Sequence, residues 1–343
     1  MNSNIPLSPR PLRHLSDAQR RVLTLHQLRE HGITSADAAE RTRPGGCWQR
    51  LLPGVYLLHP GPPTSEERLR AALLYADRPP AAGLRPGAPP SPEGSRDTAM
   101  ISGLAALTLH GFSSTPPLRA LERIDVLVPR TRRVRSSGMA HILRSGELPE
   151  PQEITGLPVV PVPRALADAV AQLADATAVR RLLTEAVRGG HCEPGAIVGE
   201  LSRARLLSRP HVVDAVDTLL AEGRALAEGR LYEMVRSAGL PEPLWNVELR
   251  LPGGPHLGGV DAYWPDCSVA LEIDARTPRR DENTAWSEGA RKRERLERLG
   301  ITVVHTTPRK LREAMDQQAA VVRTALMAAG DREPAEYVIV LPR

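Results

Sequence analysis

Two short segments of the chain alternate apolar and polar residues with the two-residue period of a half-buried β-strand. They are Val260–Trp264 and Ser268–Asp274, and Pro265–Cys267 between them is typical of a turn. In one antiparallel register every apolar residue faces another: Trp264 with Val269, Ala262 with Leu271 and Val260 with Ile273. A slip of one residue would set apolar residues against polar ones throughout, so this register is predicted.

The same register brings three carboxylates together. Asp261 lies directly across from Glu272, and Asp274 follows on the same face two residues later. Like charges that face each other destabilise a sheet, so a shared proton, a basic partner or a divalent metal must offset the repulsion. A cluster of carboxylate oxygens suits hard ions such as Mg2+. The alternative is a solvated outer face that carries ordinary acids.

The pattern around this hairpin predicts a larger unit from about residue 221. A helix that carries Glu228 and ends before Gly239 comes first, and the strand "LWNVELRL" precedes the two strands of the hairpin. A helix over Ala285–Leu299, the buried strand "ITVVHTT" and a helix that begins at Pro308 follow. "EYVIVLP" is a candidate for a final strand. The predicted order is therefore one helix, three strands, a helix, a strand and a helix.

The first 60 residues have a different pattern. It predicts helices over Asp17–Glu30 and Ala36–Thr42, followed by a hairpin of Trp48–Leu52 and Val55–Leu58 around Pro53-Gly54. Two helices and a hairpin are the outline of a winged helix-turn-helix, and a generic small α+β module is the alternative. If the module binds DNA, four side chains are candidates for phosphate contacts: Arg41, Arg43, Arg50 and His59.

Between these two regions the pattern predicts strands and helices with apolar faces and no convergent cluster of catalytic residue types. Helices are expected over Ser65–Ala76 and over Met100–Phe112, and the lone histidines His110 and His141 are interpreted as structural. The Pro/Gly-rich segment 78–97 has almost no large apolar side chains, which predicts a disordered insert.

Composition narrows the function classes. The 343 residues are 41% hydrophobic, which is enough to form hydrophobic cores. The net charge of +5 is compatible with binding to nucleic acid. Residues 276–312 hold eleven Arg and Lys against five acids, so the positive charge is local. The three cysteines are far apart and form no zinc or disulfide pattern, which favours a reducing cytoplasm. Neither a signal peptide nor a membrane span is expected.

The order of the C-terminal elements, with "VDAYWPD" on the second strand and "ALEIDAR" on the third, resembles the PD-(D/E)XK nuclease superfamily. "GRLYEMVRSAGLPEP" and "RKRERLERLGITVVHTTP" extend the likeness to the branch similar to very-short-patch-repair endonucleases. Upstream, "WQRLLPGVYLL", "SGLAALTLHGF", "IDVLVPR" and "GLPVVPVPRALAD" resemble AbiEi-type antitoxin and regulator proteins. Together these likenesses cover nearly the whole chain.

The resemblance implies roles for individual residues. Glu228 would be the helix acid of a catalytic site, Asp261 and Glu272 would hold Mg2+ or Mn2+, and Asp274 would take the place where many members carry a catalytic Lys. The basic residues expected to contact DNA near this site are Arg291, Lys292 and Arg295. DNA and a cognate toxin are the implied partners.

The chain also departs from the family pattern. No Lys lies on the acidic strands, Ala275 stands where the closer branch has Gly, and no His follows before His305. Lys292 on the next helix is a candidate for a relocated Lys, with a solvated helix position as the alternative. Two functions therefore stay open: a metal-dependent nuclease, and a regulator or antitoxin whose nuclease fold is inactive. A protein-interaction scaffold is a third.

The predicted fold class is therefore α+β and multidomain. A winged helix-turn-helix is expected at 1–64, an α+β middle domain at 65–220, and an α/β restriction-endonuclease-like domain with a mixed sheet at 221–343.

Overall fold

The computed structural model describes residues 21–77, 99–274, 282–330 and 338–343, without the side chains of 282–288 and 330. This part of the chain is α+β, with eleven α-helices and three β-sheets. It divides into two compact units, one up to Ala178 and the other from Val179. The predicted insert at 78–97 lies outside the described residues. None of the described helices is long and apolar enough to cross a lipid bilayer.

The first unit begins with a three-stranded antiparallel sheet in the order β1-β3-β2. Its strands are β1 (Val22–Thr24), β2 (Gln49–Leu52) and β3 (Val55–Leu57), and helices α1 (Leu25–Glu30) and α2 (Ser35–Arg41) lie between β1 and β2 in sequence. The predicted hairpin and second helix are therefore present, each within one or two residues of the predicted bounds.

The predicted helix over Asp17–Glu30 is wrong at Val22–Thr24, because these residues pair with β3. The helix begins only at Leu25, where Thr24 caps it. The Thr24 hydroxyl accepts from the Gln27 backbone N–H, and the Gln27 side chain accepts from the Thr24 backbone N–H. Pairing with a strand about 30 residues away thus overrides the local helical pattern.

Helix α3 (Ser65–Ala76) matches the prediction and packs against both the first sheet and a second, mixed sheet. The second sheet has the order β6-β5-β4-β8-β7. Its strands are β4 (Met100–Ser102), β5 (Ile124–Pro129), β6 (Ala140–Ser145), β7 (Gln152–Ile154) and β8 (Leu157–Val159). Helices α4 (Gly103–Leu109) and α5 (Val162–Gln172) and a 3-10 turn at Leu118–Ala120 complete this region. The helix predicted over Met100–Phe112 is wrong at Met100–Ser102, which form the central strand.

Helices α6 (Ala176–Arg188), α7 (Pro194–Arg203) and α8 (Pro210–Ser237) lead into the second unit. Its five-stranded sheet has the order β12-β11-β10-β9-β13, in which only β11 and β12 are parallel. The strands are β9 (Leu244–Arg250), β10 (His256–Trp264), β11 (Val269–Ile273), β12 (Thr302–Thr306) and β13 (Ile339–Pro342). Helices α9 (Glu282–Arg298), α10 (Pro308–Glu313) and α11 (Met315–Gly330) complete it.

The element order predicted for the C-terminal region is observed, including the final strand, except that two helices, α10 and α11, follow β12 where one was predicted. The predicted domain boundary at 220/221 falls inside the continuous helix α8. Two apolar cores lie on opposite sides of the sheet. One joins Leu231 of α8 and Leu326 of α11 to Leu271, and the other joins Leu296 of α9 to Val260. The acidic hairpin therefore lies between a layer that contains α8 and a layer formed by α9.

Gly103, at the start of α4, is the tightest backbone position of the second sheet. It has φ of +59°, and a Cβ there would lie 2.2 Å from Oδ2 of the buried Asp125. That carboxylate is bound by His141 Nδ1 at 2.6 Å and by Gln172 Nε2 at 2.9 Å. His141 thus has the structural role expected for it, and Asp125 has little freedom to move away.

We expect Gly103→Ala to lower the free energy of unfolding by roughly 2–4 kcal/mol, because it combines left-handed strain with a clash against a fixed carboxylate. Gly111→Ala is the matched control, since Gly111 has φ of +88° but nothing within 4 Å of its added Cβ. Urea unfolding of both variants measures the difference. Equal destabilisation of the two variants would show that the clash with Asp125 is relieved without cost.

Candidate active site at the acidic hairpin

The hairpin of β10 and β11 has the predicted register. Ala262 pairs with Leu271 and Trp264 with Val269, and the chain turns through a short 3-10 helix at Pro265–Cys267. Ser268 completes the turn with φ of +50°. Asp261 and Glu272 follow one position beyond the last of these pairs. The turn and the apolar pairs next to it therefore set the position of both acids.

The third predicted apolar pair does not form. Val260 packs in the core on the α9 side of the sheet, whereas Ile273 packs against the core on the α8 side. In β10 and β9, Val260 pairs with Val247 and Ala262 pairs with Trp245, but Asp261 and Asn246 between them do not form a regular pair. Asn246 has a positive φ of +48°. The strand alternation is therefore interrupted at Asp261, the position of the first acid.

Asp261 is held by one cation and one backbone group. Arg224 of α8 donates from NH2 to Asp261 Oδ1 at 3.1 Å and from Nε to Glu228 Oε1 at 2.8 Å. The backbone N–H of Ile273 donates to Asp261 Oδ2 at 2.7 Å. Arg224 and Glu228 are four residues apart on one helix, so both face the hairpin. The predicted helix acid is thus connected to Asp261 through Arg224.

Burial raises the pKa of the Asp261 carboxyl above its ordinary value of 3.8, and repulsion from Glu228 and Glu272 raises it further. The hydrogen bond from Ile273 and the charge of Arg224 act in the opposite direction without cancelling the rise. The pKa of Arg224 is itself raised, first by its hydrogen bond to Glu228. The charged form of Asp261 is therefore costly, although a cation lies beside it.

Glu272 is held by a different cation. Lys292 of α9 places Nζ 2.5 Å from Glu272 Oε1 and donates to the carbonyl of Gly259 at 2.6 Å. Oε1 is fully buried and accepts no hydrogen bond from the described residues apart from this ion pair. On the other side, His305 Nδ1 lies 3.9 Å from Glu272 Oε2. Lys292 is therefore part of the site and does not occupy a solvated helix position.

A groove in the backbone of β10 admits the lysine. Strand pairing shifts between His256 and Gly258, and Gly258 has φ of +117°. A Cβ at Gly258 would lie 2.6 Å from Lys292 Cε. The missing side chain at this position therefore lets the aliphatic stem of Lys292 cross the strand and reach Glu272.

The remaining predicted site residues are exposed. Asp274 lies just after β11, and its backbone N–H donates to the Thr306 carbonyl at 2.7 Å. Arg291 and Arg295 lie on α9, one on each side of Lys292 in sequence. The contacts described above therefore form two groups, Glu228–Arg224–Asp261 and Glu272–Lys292–His305.

Arg224 and His305 were not predicted as site residues. The signal for Arg224 was its spacing of four residues before Glu228. The signal for His305 was a parallel pairing of "ALEID" with "VVHTT", which places it beside Glu272. Neither signal identifies a site until the strand order is known.

In the described residues, no group of three or more His, Cys, Asp or Glu side chains is arranged to hold a metal ion. Asp261 and Glu272 nevertheless fit a hard divalent ion by chemistry, because both supply carboxylate oxygens, the donors that such ions prefer. In the arrangement observed, Arg224 and Lys292 neutralise these carboxylates instead.

The basic residues predicted in the first unit also lie near one another. The Arg41 guanidinium stacks over the Trp48 ring at 4.6 Å, and Arg43 and Arg50 line an open cleft of about 780 Å³ between α2 and the hairpin. His59 instead binds Glu67, with 3.1 Å between Nε2 and Oε1. Two arginines are thus the cationic side chains that line the cleft, while His59 has a structural partner.

Neither the family models searched nor the curated proteins compared include a match to this chain.

We expect Asp261→Asn to raise the melting temperature at pH 7, because the amide avoids the cost of a buried charge. Since the folded-state pKa of Asp261 is raised, wild-type stability falls as pH rises from about 3.8 through that pKa. The advantage of the variant should therefore shrink towards pH 4. Melting curves at both pH values test this, with the exposed Asp266→Asn in the same hairpin as the control. If the melting temperatures of Asp261→Asn and the wild type differed by the same amount at both pH values, the buried charge of Asp261 would not be the cause.

Proposed function

We propose that this protein binds DNA and that its C-terminal unit hydrolyses DNA phosphodiester bonds with a divalent metal. The observation that carries the proposal is the 2.5 Å contact between Lys292 Nζ and Glu272 Oε1, next to Asp261 in the hairpin register. Two acids and a lysine then lie at one end of a hairpin, although the acids, which were predicted on one face, are neutralised from opposite sides of the sheet.

The order α8-β9-β10-β11-α9-β12 and the sheet order support this proposal by their likeness to the PD-(D/E)XK superfamily. Asp261 and Glu272 would hold Mg2+ or Mn2+. A metal bound there would lower the pKa of a coordinated water and stabilise the charge that develops on the phosphate.

The protein's own side chains would perform the other tasks. Lys292 orients Glu272 and brings a positive charge to the acid pair, and its fixed stem keeps that charge in place. Arg291 and Arg295, exposed on the same helix, would bind the DNA backbone on both sides of the site. Glu228 would keep Arg224 close to Asp261.

Within the first unit, the module of β1, α1, α2, β2 and β3 is proposed to belong to a winged helix-turn-helix that attaches the protein to DNA through Arg43 and Arg50. The exposed face of α2 carries Asp37 and Glu40, so phosphate contacts are better supported at the cleft than along this helix. Arg41 stacks on Trp48, a ring that lines the cleft, and so contributes to the shape of the cleft. DNA as the partner is consistent with the cytoplasmic location expected from the cysteine pattern.

The second candidate function is a regulator or antitoxin that binds DNA, and a cognate toxin, without hydrolysis. A specific observation favours it: Arg224 and Lys292 already neutralise Asp261 and Glu272, so the acids form stable contacts without a metal. The two candidates differ in one measurable property, which is metal-dependent cleavage.

We expect the purified protein to nick supercoiled plasmid in the presence of Mg2+ or Mn2+. Glu272→Gln should abolish nicking because it removes a metal ligand. Lys292→Met should slow nicking about 100-fold or more, as removal of one group that stabilises transition-state charge does. Gel quantification of nicked product over time measures both.

Arg298→Met is the control for the lysine variant, since Arg298 is exposed on the same helix and forms a local ion pair with Glu294. It should cleave at the wild-type rate. A wild-type protein that binds plasmid but does not nick it with either metal would favour the regulator.

We expect Arg43→Ala combined with Arg50→Ala to weaken duplex binding and to flatten its salt dependence. The slope of log affinity against log salt should fall by about 0.9 for each phosphate that the variant no longer neutralises. Fluorescence anisotropy at several salt concentrations measures the slope. Arg29→Ala, an exposed arginine on α1, is the control. An unchanged slope in the double variant would show that DNA does not bind at the cleft.

A further inference from the structure

The two cations of the acidic hairpin are held very differently. Lys292 is about 23% exposed, donates to a backbone carbonyl and lies in the groove at Gly258. Arg224 is about 48% exposed, and its contacts to described residues are two carboxylate hydrogen bonds at a helix surface. Removing Lys292 from Glu272 would require repacking, whereas Arg224 can rotate into solvent. Arg224 is therefore the displaceable cation.

Arg224 also occupies the atom that a metal would need. Asp261 Oδ2 already accepts the backbone N–H of Ile273, so Oδ1 is the oxygen on which Arg224 and an incoming cation compete. A divalent ion beside an unmoved guanidinium would meet direct charge repulsion. Arg224 therefore opposes metal binding at Asp261 for as long as it stays beside that carboxylate.

Phosphate offers Arg224 an alternative partner. A guanidinium binds phosphate oxygens with the same paired N–H geometry that it uses for carboxylates. From its half-exposed position Arg224 can exchange the Asp261 carboxylate for the phosphodiester of a bound nucleic acid. The charge of Asp261 then becomes available to the metal at the same time as the substrate arrives.

We propose that Arg224 is a counter-ion switch that keeps divalent metal out of the hairpin site until a nucleic-acid phosphate withdraws it from Asp261. This inference rests on the proposed function. It predicts that metal and DNA strengthen each other's binding by the same factor, because coupling between two ligands is reciprocal. The protein without DNA should then be held in a form with low metal affinity.

The test measures the dissociation constant for Ca2+, a hard ion with the same preference for oxygen as Mg2+, by calorimetry on the full-length protein. Titrations are made with and without a saturating 20-base-pair duplex, and the heat of Ca2+ binding to duplex alone is subtracted. For the wild type, DNA should tighten Ca2+ binding at least about fivefold, at the lower end of typical coupling. Arg224→Gln should bind Ca2+ that tightly without DNA and gain little when DNA is added.

Two further variants keep the result interpretable. Arg224→Lys retains the charge but cannot bridge Asp261 and Glu228 with a planar fork, so its Ca2+ affinity should be intermediate. Arg236→Gln removes an exposed arginine about 18 Å further along the same helix and should behave like the wild type. Melting curves without metal show whether each variant is folded.

The outcomes separate the inference from the proposed function. If Arg224→Gln binds Ca2+ no more tightly than the wild type, or keeps the full effect of DNA, the switch is wrong while the metal site stands. If no folded protein binds Ca2+, or if Glu272→Gln leaves Ca2+ binding unchanged, the metal site itself is wrong and the switch fails with it.

Discussion

Each acid of the central hairpin is neutralised by a cation from a different helix, and the arrangement of the second unit depends on this. Asp261 is paired from α8 and Glu272 from α9, the helices on the two sides of the sheet. An unpaired buried carboxylate would cost several kcal/mol, so both helices must pack in the right register for the hairpin to be stable. The charged contacts thereby connect the two layers through the acidic end of the sheet.

The same arrangement is compatible with two roles. Carboxylates that are neutralised internally need no ligand for their charge, and in the function we propose the same carboxylates would become metal ligands once one cation moves. The two functions that we propose then differ in how readily the half-exposed Arg224 leaves Asp261, because the fold and the positions of the acids are common to both.

Local patterns predicted the fold well where the structure is local. The hairpin register followed from alternation and a proline turn, and the helix predicted over Ser65–Ala76 has the observed bounds, with a local cap at Thr64. The helix predictions at Val22–Thr24 and Met100–Ser102 were wrong because both segments pair with strands that are distant in sequence. The residues next to each segment carry no information about that pairing. The interruption at Asp261 was missed because it depends on the backbone of Asn246 in a neighbouring strand.

The candidate site was predicted only as far as the hairpin itself. Asp261 and Glu272 are close in sequence, so their positions could be inferred from the strand register. Arg224, Lys292 and His305 reach the acids from three other elements, and their contacts depend on strand order and on a groove made by glycine. Such contacts between distant segments cannot be inferred from the spacing of residues in the sequence. Lys292, which contacts Glu272, therefore looked like a surface residue of a helix.

The groove at Gly258 also gives a reason for the presence of a lysine at position 292 in a chain that has very few lysines. Among the 45 Lys and Arg residues of this chain only Lys292 and Lys310 are lysines, so arginine carries nearly all of the positive charge. A narrow passage over the strand accepts a slender alkyl chain with a compact ammonium, whereas the broad planar guanidinium of arginine would not pass to Glu272 in the same way. At Lys292, therefore, the shape of the side chain matters as much as its charge.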